Sequence, residues 1–228
     1  MSTYVLCHGA FAGGWRWRER GIVSVLAAAG HQVFTPTYTG LGERVHLARP
    51  EVDLNTHVQD VLMVLQYEAL DNIILVGWSY GGLVITAVAE QGPERMAHLV
   101  YLDAFAPLDG QSLADISGPE IAAMVEQAAQ SYGDGWQVPP DPELDPRHTA
   151  HPLKSFYTRV EVKNPAAAAL PHTYIYCTED KQDNIHLRFT IETAARVKAD
   201  PGWQYHEIKT DHSLSEPEEL CNILLEIA

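Results

Sequence analysis

Two hydrophobic rhythms alternate along this chain. Short strand-like runs at 4–7, 32–35, 73–76, 98–102, 173–177 and 204–208 are separated by longer stretches with a helical repeat. Several of the short runs, such as Ile73-Ile74-Leu75-Val76, are apolar throughout, as expected of a strand covered on both faces. Residues 15–29, 55–70, 185–199 and 217–228 predict helices. In the second of these the apolar residues fall at 58, 61, 62, 65 and 69, one face of a 3.6-residue repeat. Gly30 supplies the stop for the first. Strand–helix alternation of this kind predicts an α/β fold, a mostly parallel sheet with helices on both faces. Ligands of such sheets sit outside the carboxyl ends of the strands. Function is therefore expected in the loops after Cys7, Val76, Leu102, Cys177 and Ile208.

The rhythm breaks between residues 105 and 171. That segment carries a helical stretch at 117–131, the turn Gly133-Asp134-Gly135 and the proline-rich Val138-Pro139-Pro140-Asp141-Pro142. Its apolar content, including Ile121, Met124, Trp136, Phe156, Tyr157 and Val160, is too high for a disordered loop. It predicts a cap inserted into a core formed by residues 1–104 and 172–228.

Gly77-Trp78-Ser79-Tyr80-Gly81 stands between the strand at 73–76 and an apolar, small-residue helix beginning near Gly82. Strand, G-x-S-x-G, helix is the context of a nucleophile elbow. A tight turn of this kind accepts only glycine where neighbouring backbone would meet a Cβ. Ser79 is thus the candidate nucleophile. A serine hydroxyl needs a base, and the base needs an orienting group. In this context the chain order is serine, acid, histidine. His212 follows the last strand and is the expected base. Thr178-Glu179-Asp180-Lys181 follows the penultimate strand, with Asp183 close behind. Asp180 is favoured as the acid, with Asp183 and Glu179 as alternatives. Asp183 also suits a helix N-cap. The developing oxyanion needs N–H donors: Tyr80, after the nucleophile, and Ala10, in the His8-Gly9-Ala10-Phe11 loop. His8 is read as bracing that loop, because His212 already fills the base position.

Thirty acidic against fifteen basic residues give a formal charge of −15. This disfavours nucleic acid and anionic membranes as partners. Three cysteines without C-x-x-C spacing, Cys7, Cys177 and Cys221, argue against a disulfide framework or zinc site. His148-Thr149-Ala150-His151 lacks an acidic neighbour, so no metal is expected there, and no phosphate-loop or dinucleotide motif is present. Trp15-Arg16-Trp17-Arg18 reads as amphipathic packing with solvated arginines. With no basic leader and no long apolar run, the expectation is a soluble, reduced, cytoplasmic protein. A homodimer is left open.

These residues together resemble the α/β-hydrolase superfamily, and within it the small esterase and hydroxynitrile-lyase group that includes plant methyl-ester esterases and bacterial pyrethroid-type carboxylesterases. The resemblance rests on His8-Gly9-Ala10 with Gly13-Gly14-Trp15, on Gly30-His31, and on Leu75 to Gly82. It continues with Tyr101-Leu102-Asp103-Ala104-Phe105, Cys177-Thr178-Glu179-Asp180-Lys181, Asp211-His212 and Leu220 to Ala228. It implies a Ser79–Asp180–His212 triad with Ala10 and Tyr80 as oxyanion donors. It leaves ester hydrolysis as the expected activity, with no cofactor or metal required; the apolar cap residues predict a pocket for hydrophobic carboxylic esters, with Phe11, Trp78, Trp136, Phe156 and Tyr157 as its candidate lining. Hydroxynitrile lyases of the group carry threonine and lysine where this chain has Gly9 and Ser213, which disfavours lyase activity. A ligand receptor on the same fold is the other alternative. The segment from His212 to Pro217 is about two residues shorter than in those relatives, and Trp78 replaces a histidine common in the plant members.

Overall fold

A computed structural model describes residues 1–132, 134–179, 181 and 185–228. Six strands form one sheet: β1 (Thr3–Cys7), β2 (Gln32–Phe34), β3 (Ile73–Trp78), β4 (Met96–Leu102), β7 (His172–Cys177) and β8 (Trp203–Ile208). Their order is β2-β1-β3-β4-β7-β8. Every pairing in it is parallel. Two short strands, β5 (Gln137–Val138) and β6 (His151–Pro152), pair antiparallel outside it.

Ten α-helices accompany the strands among the described residues: α1 (Trp15–Glu19), α2 (Ile22–Ala28), α3 (Leu54–Tyr67), α4 (Gly81–Gln91), α5 (Leu113–Ser117), α6 (Pro119–Gln130), α7 (Lys154–Tyr157), α8 (Pro165–Ala168), α9 (Arg188–Lys198) and α10 (Glu218–Ile227). The apolar stripe of α3 is buried through Leu54, Val58, Val61 and Leu65. A capping box starts that helix: Asp53 accepts from Thr56 N–H, and Thr56 Oγ accepts from Asp53 N–H. Such a cap contributes about 1 kcal/mol.

The sheet separates two apolar layers. Ile73, Leu75 and residues of α3, α4 and α9 share one with Leu113, Phe156 and Val160 of the 105–171 segment. Ile74, Val76 and Trp78 point to the other, with Trp17, Ile22, Leu26 and Leu224 of α1, α2 and α10. Period-two alternation along β3 sends successive side chains to opposite layers.

Some boundaries differ from the sequence expectation. The helix expected over 15–29 is two helices, because Gly21 takes a φ of 76° between them. The 117–131 stretch likewise divides at Gly118, with φ 84°. The 185–199 helix opens with a 3₁₀ turn, Ile185–Leu187, before α9. Among the described residues no helix is long and apolar enough to cross a membrane.

Candidate active site

The turn between β3 and α4 is too tight for side chains on its glycines. A Cβ on Gly77 would lie 2.5 Å from Gly81 O, and one on Gly82 would lie 1.9 Å from Phe105 O. At its apex Ser79 has a φ of 54°, a left-handed conformation that a non-glycine residue holds only at a cost of order 1–3 kcal/mol. The surroundings enforce it. Ser79 N–H donates to Leu102 O at 3.2 Å, and Ser79 O accepts from Gly82 N–H at 3.0 Å and Phe105 N–H at 3.1 Å. The elbow is thereby fastened to the end of β4. Beside it runs the first loop: a Cβ on Gly9 would stand 3.3 Å from Ser79 Cβ and 3.9 Å from Ser79 Oγ.

Asp103 follows β4 directly. Its φ is 44°, its N–H donates to Ile175 O at 2.7 Å, and it is fully buried. His212 Nδ1–H donates to Asp103 Oδ2 at 2.5 Å, which leaves Nε2 as the acceptor nitrogen of the neutral ring. The same oxygen receives Lys181 Nζ, while Asp103 Oδ1 accepts from Cys177 N–H at 3.4 Å. Lys181 is itself buried; it also donates to Thr190 Oγ at 3.0 Å and lies 5.0 Å from the Tyr176 ring centre. Burying a carboxylate is costly unless opposite charge and donors meet it. Lys181, the imidazole and a backbone N–H do so here.

The loop carrying His212 is braced from two elements. Trp78 Nε1–H donates to His212 O at 3.1 Å, and Arg16 donates to Ser213 O at 3.3 Å. Asp211 turns away from the ring and accepts from Ser213 Oγ and Ser215 N–H. Leu214, at a φ of 59°, buries its side chain completely. The short 212–217 segment is therefore held at several points.

On the other side of Ser79 lie three fully buried histidines, His8, His57 and His151. His8 Nδ1–H donates to Gly9 O at 2.8 Å and Nε2 accepts from Tyr38 N–H at 3.2 Å. With both nitrogens engaged, His8 braces its loop and cannot serve Ser79 as a base. His57 Nε2–H donates to Thr39 O at 3.1 Å and Nδ1 accepts from the Tyr80 hydroxyl at 2.7 Å. Burial, partly offset by the Gly9 carbonyl, pushes the His8 imidazole down to about 4, and burial pushes His57 down to about 3. It also holds His151 well below the usual histidine range. All three are neutral at neutral pH.

The expected site residues separate into groups. Ser79, Tyr80, Ala10 and Phe11 lie along the elbow and the first loop. Phe156 is buried close by, with ring centres 5.9 Å from Tyr80 and 6.1 Å from Phe11. Trp136 and Tyr157 instead line a cavity of about 440 Å3 with Pro50, Glu126, Lys154 and others. Trp78 sits in the opposite layer against Trp17, ring centres 5.8 Å apart. The alternation of β3 turns it from Phe156 and Tyr80 toward the backbone of His212. Asp180 and Asp183 lie outside the described residues. Glu179 donates its N–H to Thr210 O.

Asp103 was not singled out from sequence, although an aspartate ending a buried strand on the nucleophile's rim was the available signal. Arg16, expected in solvent, is 8% exposed and pairs with Glu19 at 2.5 Å. Among the described residues no group of three or more His, Cys, Asp or Glu side chains is placed to hold a metal ion.

A model of the Alpha/beta hydrolase family matches residues 4–223. A carbendazim hydrolyzing esterase of Nocardioides sp. (strain SG-4G) is 51% identical over 127 residues, 54% of this chain and 52% of that protein. The matched region thus spans about half the length of that relative. Salicylic acid-binding protein 2 of Nicotiana tabacum is 27% identical over 99% of this chain and 96% of its own. Among solved structures, an extracellular alpha/beta-hydrolase from a Paenibacillus species superposes with a TM-score of 0.82 at 27% identity, covering 100% of this chain and 99% of the other.

Proposed function

This chain belongs to the alpha/beta hydrolase family, and we propose that it is a serine carboxylesterase acting through an acyl-enzyme on Ser79. The observation that carries the reading is the strained Ser79 apex, φ 54°, on the same rim as an imidazole bonded to a buried carboxylate. Ser79 Oγ attacks the ester carbonyl while His212 Nε2 takes its proton. The tetrahedral oxyanion is met by the N–H groups of Ala10 and Tyr80, neither of which is hydrogen-bonded to another backbone group among the described residues. Collapse expels the alcohol, protonated by His212. Water, deprotonated by the same imidazole, then cleaves the acyl-enzyme.

The acid in this reading is Asp103, supported by its 2.5 Å bond to His212 Nδ1. It fixes the tautomer and stabilises the imidazolium formed on proton transfer. Asp180, the acid that chain order and the resemblance favour, is the competing assignment. Phe11, half-buried beside the elbow and packed on Phe156, offers apolar surface, which suits hydrophobic esters. The named activity of the Nocardioides relative makes carbendazim a substrate to test.

The experiment is steady-state hydrolysis of p-nitrophenyl, methyl, pyrethroid-type and carbendazim substrates by the wild type and Ser79→Ala. Loss of turnover on all accepted esters is expected for Ser79→Ala. Retained activity near wild type would remove the nucleophile assignment. Cyanide release from mandelonitrile should be absent; its presence would favour the lyase alternative, and binding without turnover would favour a receptor.

A further inference from the structure

A single residue ties the first loop to the cap through both of its backbone groups. Phe11 follows Ala10, and its φ of 64° lies in the left-handed region, where a bulky side chain stays only if its surroundings hold it. Its carbonyl accepts from Thr149 N–H at 2.8 Å. Its N–H donates to Nδ1 of His151 at 3.2 Å. His151 in turn donates from Nε2 to Ser155 Oγ at 2.8 Å, and that hydroxyl donates to Pro152 O at 2.8 Å. This chain of bonds admits one tautomer, with the proton on Nε2 and Nδ1 as acceptor. The ring is also packed edge-on against Tyr80, centres 4.9 Å apart, and stacked on Phe156 at 4.5 Å. One imidazole from the cap thus touches the residue after Ala10 and the residue after Ser79.

We propose, resting on the esterase reading, that His151 is a positioning residue for ester hydrolysis: it fixes the Phe11 turn, so that the cap aims the Ala10 N–H at the oxyanion. Oxyanion donors act on charge that exists only in the transition state. A misdirected donor therefore lowers kcat and leaves KM nearly unchanged.

The test compares wild type, His151→Phe and His151→Asn on p-nitrophenyl acetate. Reactive serine is counted with a fluorophosphonate probe and folding is followed by thermal unfolding. Phenylalanine keeps a ring between Tyr80 and Phe156 but offers no acceptor to Phe11 N–H. Asparagine gives up the ring and returns an acceptor oxygen close to where Nδ1 stood. His151→Phe should keep KM within about twofold and lose roughly 10- to 100-fold in kcat, in line with displacement of one oxyanion donor. His151→Asn should recover most of that kcat while melting at a lower temperature. Affinity for a trifluoromethyl ketone, which forms a tetrahedral oxyanion on the serine, should weaken in parallel with kcat. Wild-type kcat in His151→Phe overturns the proposal. So does an equal loss in both variants that merely tracks the folded fraction. A wild type that neither hydrolyses ester nor takes the probe overturns the esterase reading itself, and this proposal with it.

Discussion

The two sides of Ser79 use the same side chain for opposite ends. On one side, His8, His57 and His151 are buried and hydrogen-bonded only to neutral partners: backbone groups, the Tyr80 hydroxyl and Ser155 Oγ. On the other, His212 keeps 23% of its side chain exposed and gives its Nδ1 proton to the Asp103 carboxylate, which Lys181 also contacts. A neutral partner at each nitrogen makes an imidazole a rigid strut. A carboxylate at one nitrogen, with the other left as acceptor, lets the ring take up a proton and hold it. The partner at Nδ1 distinguishes His212 from the other three.

The largest effects should come from removing that carboxylate. Asp103→Asn should lower kcat about 10³- to 10⁴-fold on p-nitrophenyl acetate, by favouring the wrong tautomer of His212. Asp180→Asn should stay within about tenfold of wild type if the proton passes as proposed. The reverse ranking in steady-state kinetics would hand the acid role to Asp180.

Next comes the buried countercharge. Lys181→Met leaves Asp103 without its cation, and urea unfolding at pH 7 should report a loss of about 3–5 kcal/mol. A loss below about 1 kcal/mol would mean that the pairing matters little.

The neutral histidines predict a pH-dependent term of comparable size. His8 and His57 have folded values near 4 and 3, below the usual 6.5 or so of the unfolded chain. The unfolded state therefore binds protons first. Stability is present above pH 6.5 and falls as pH drops below it, to about pH 4 for His8 and about pH 3 for His57, by about 1.4 kcal/mol per pH unit per histidine. Urea midpoints at pH 7 and pH 5 check this, and a flat profile would contradict neutral burial.

The smallest effect sits on the brace behind His212. Trp78→Phe keeps a ring against Trp17 but loses the bond to His212 O. That should cost about 1 kcal/mol, read as a shift in the urea midpoint.

Much of the fold was legible from the chain because buried parallel strands announce themselves as apolar runs. Ile73 to Val76 and Tyr4 to Cys7 could hardly be anything else. The elbow around Ser79 was legible because the turn dictates its own glycines. The partner of His212 was less so. Sequence order pointed beyond β7, whereas Asp103, at the end of β4, meets His212 from beyond β8, two strands away in the sheet, a juxtaposition no local pattern encodes. His151 lies in a stretch with no clear strand or helix period in the sequence, and its bond to Phe11 spans 140 positions. Arg16 was misjudged because a charged residue in a helix reads as solvated until a distant carbonyl, here Ser213 O, is brought over it.

Gly82, where a single methyl group would sit 1.9 Å from Phe105 O, has a consequence for altering this protein. A saturation library there should return glycine alone among folded clones, so the crossing of α4 over the chain at Phe105 is closed to engineering. Changes in substrate range must be sought in side chains farther along the 105–171 segment, where the backbones stand apart.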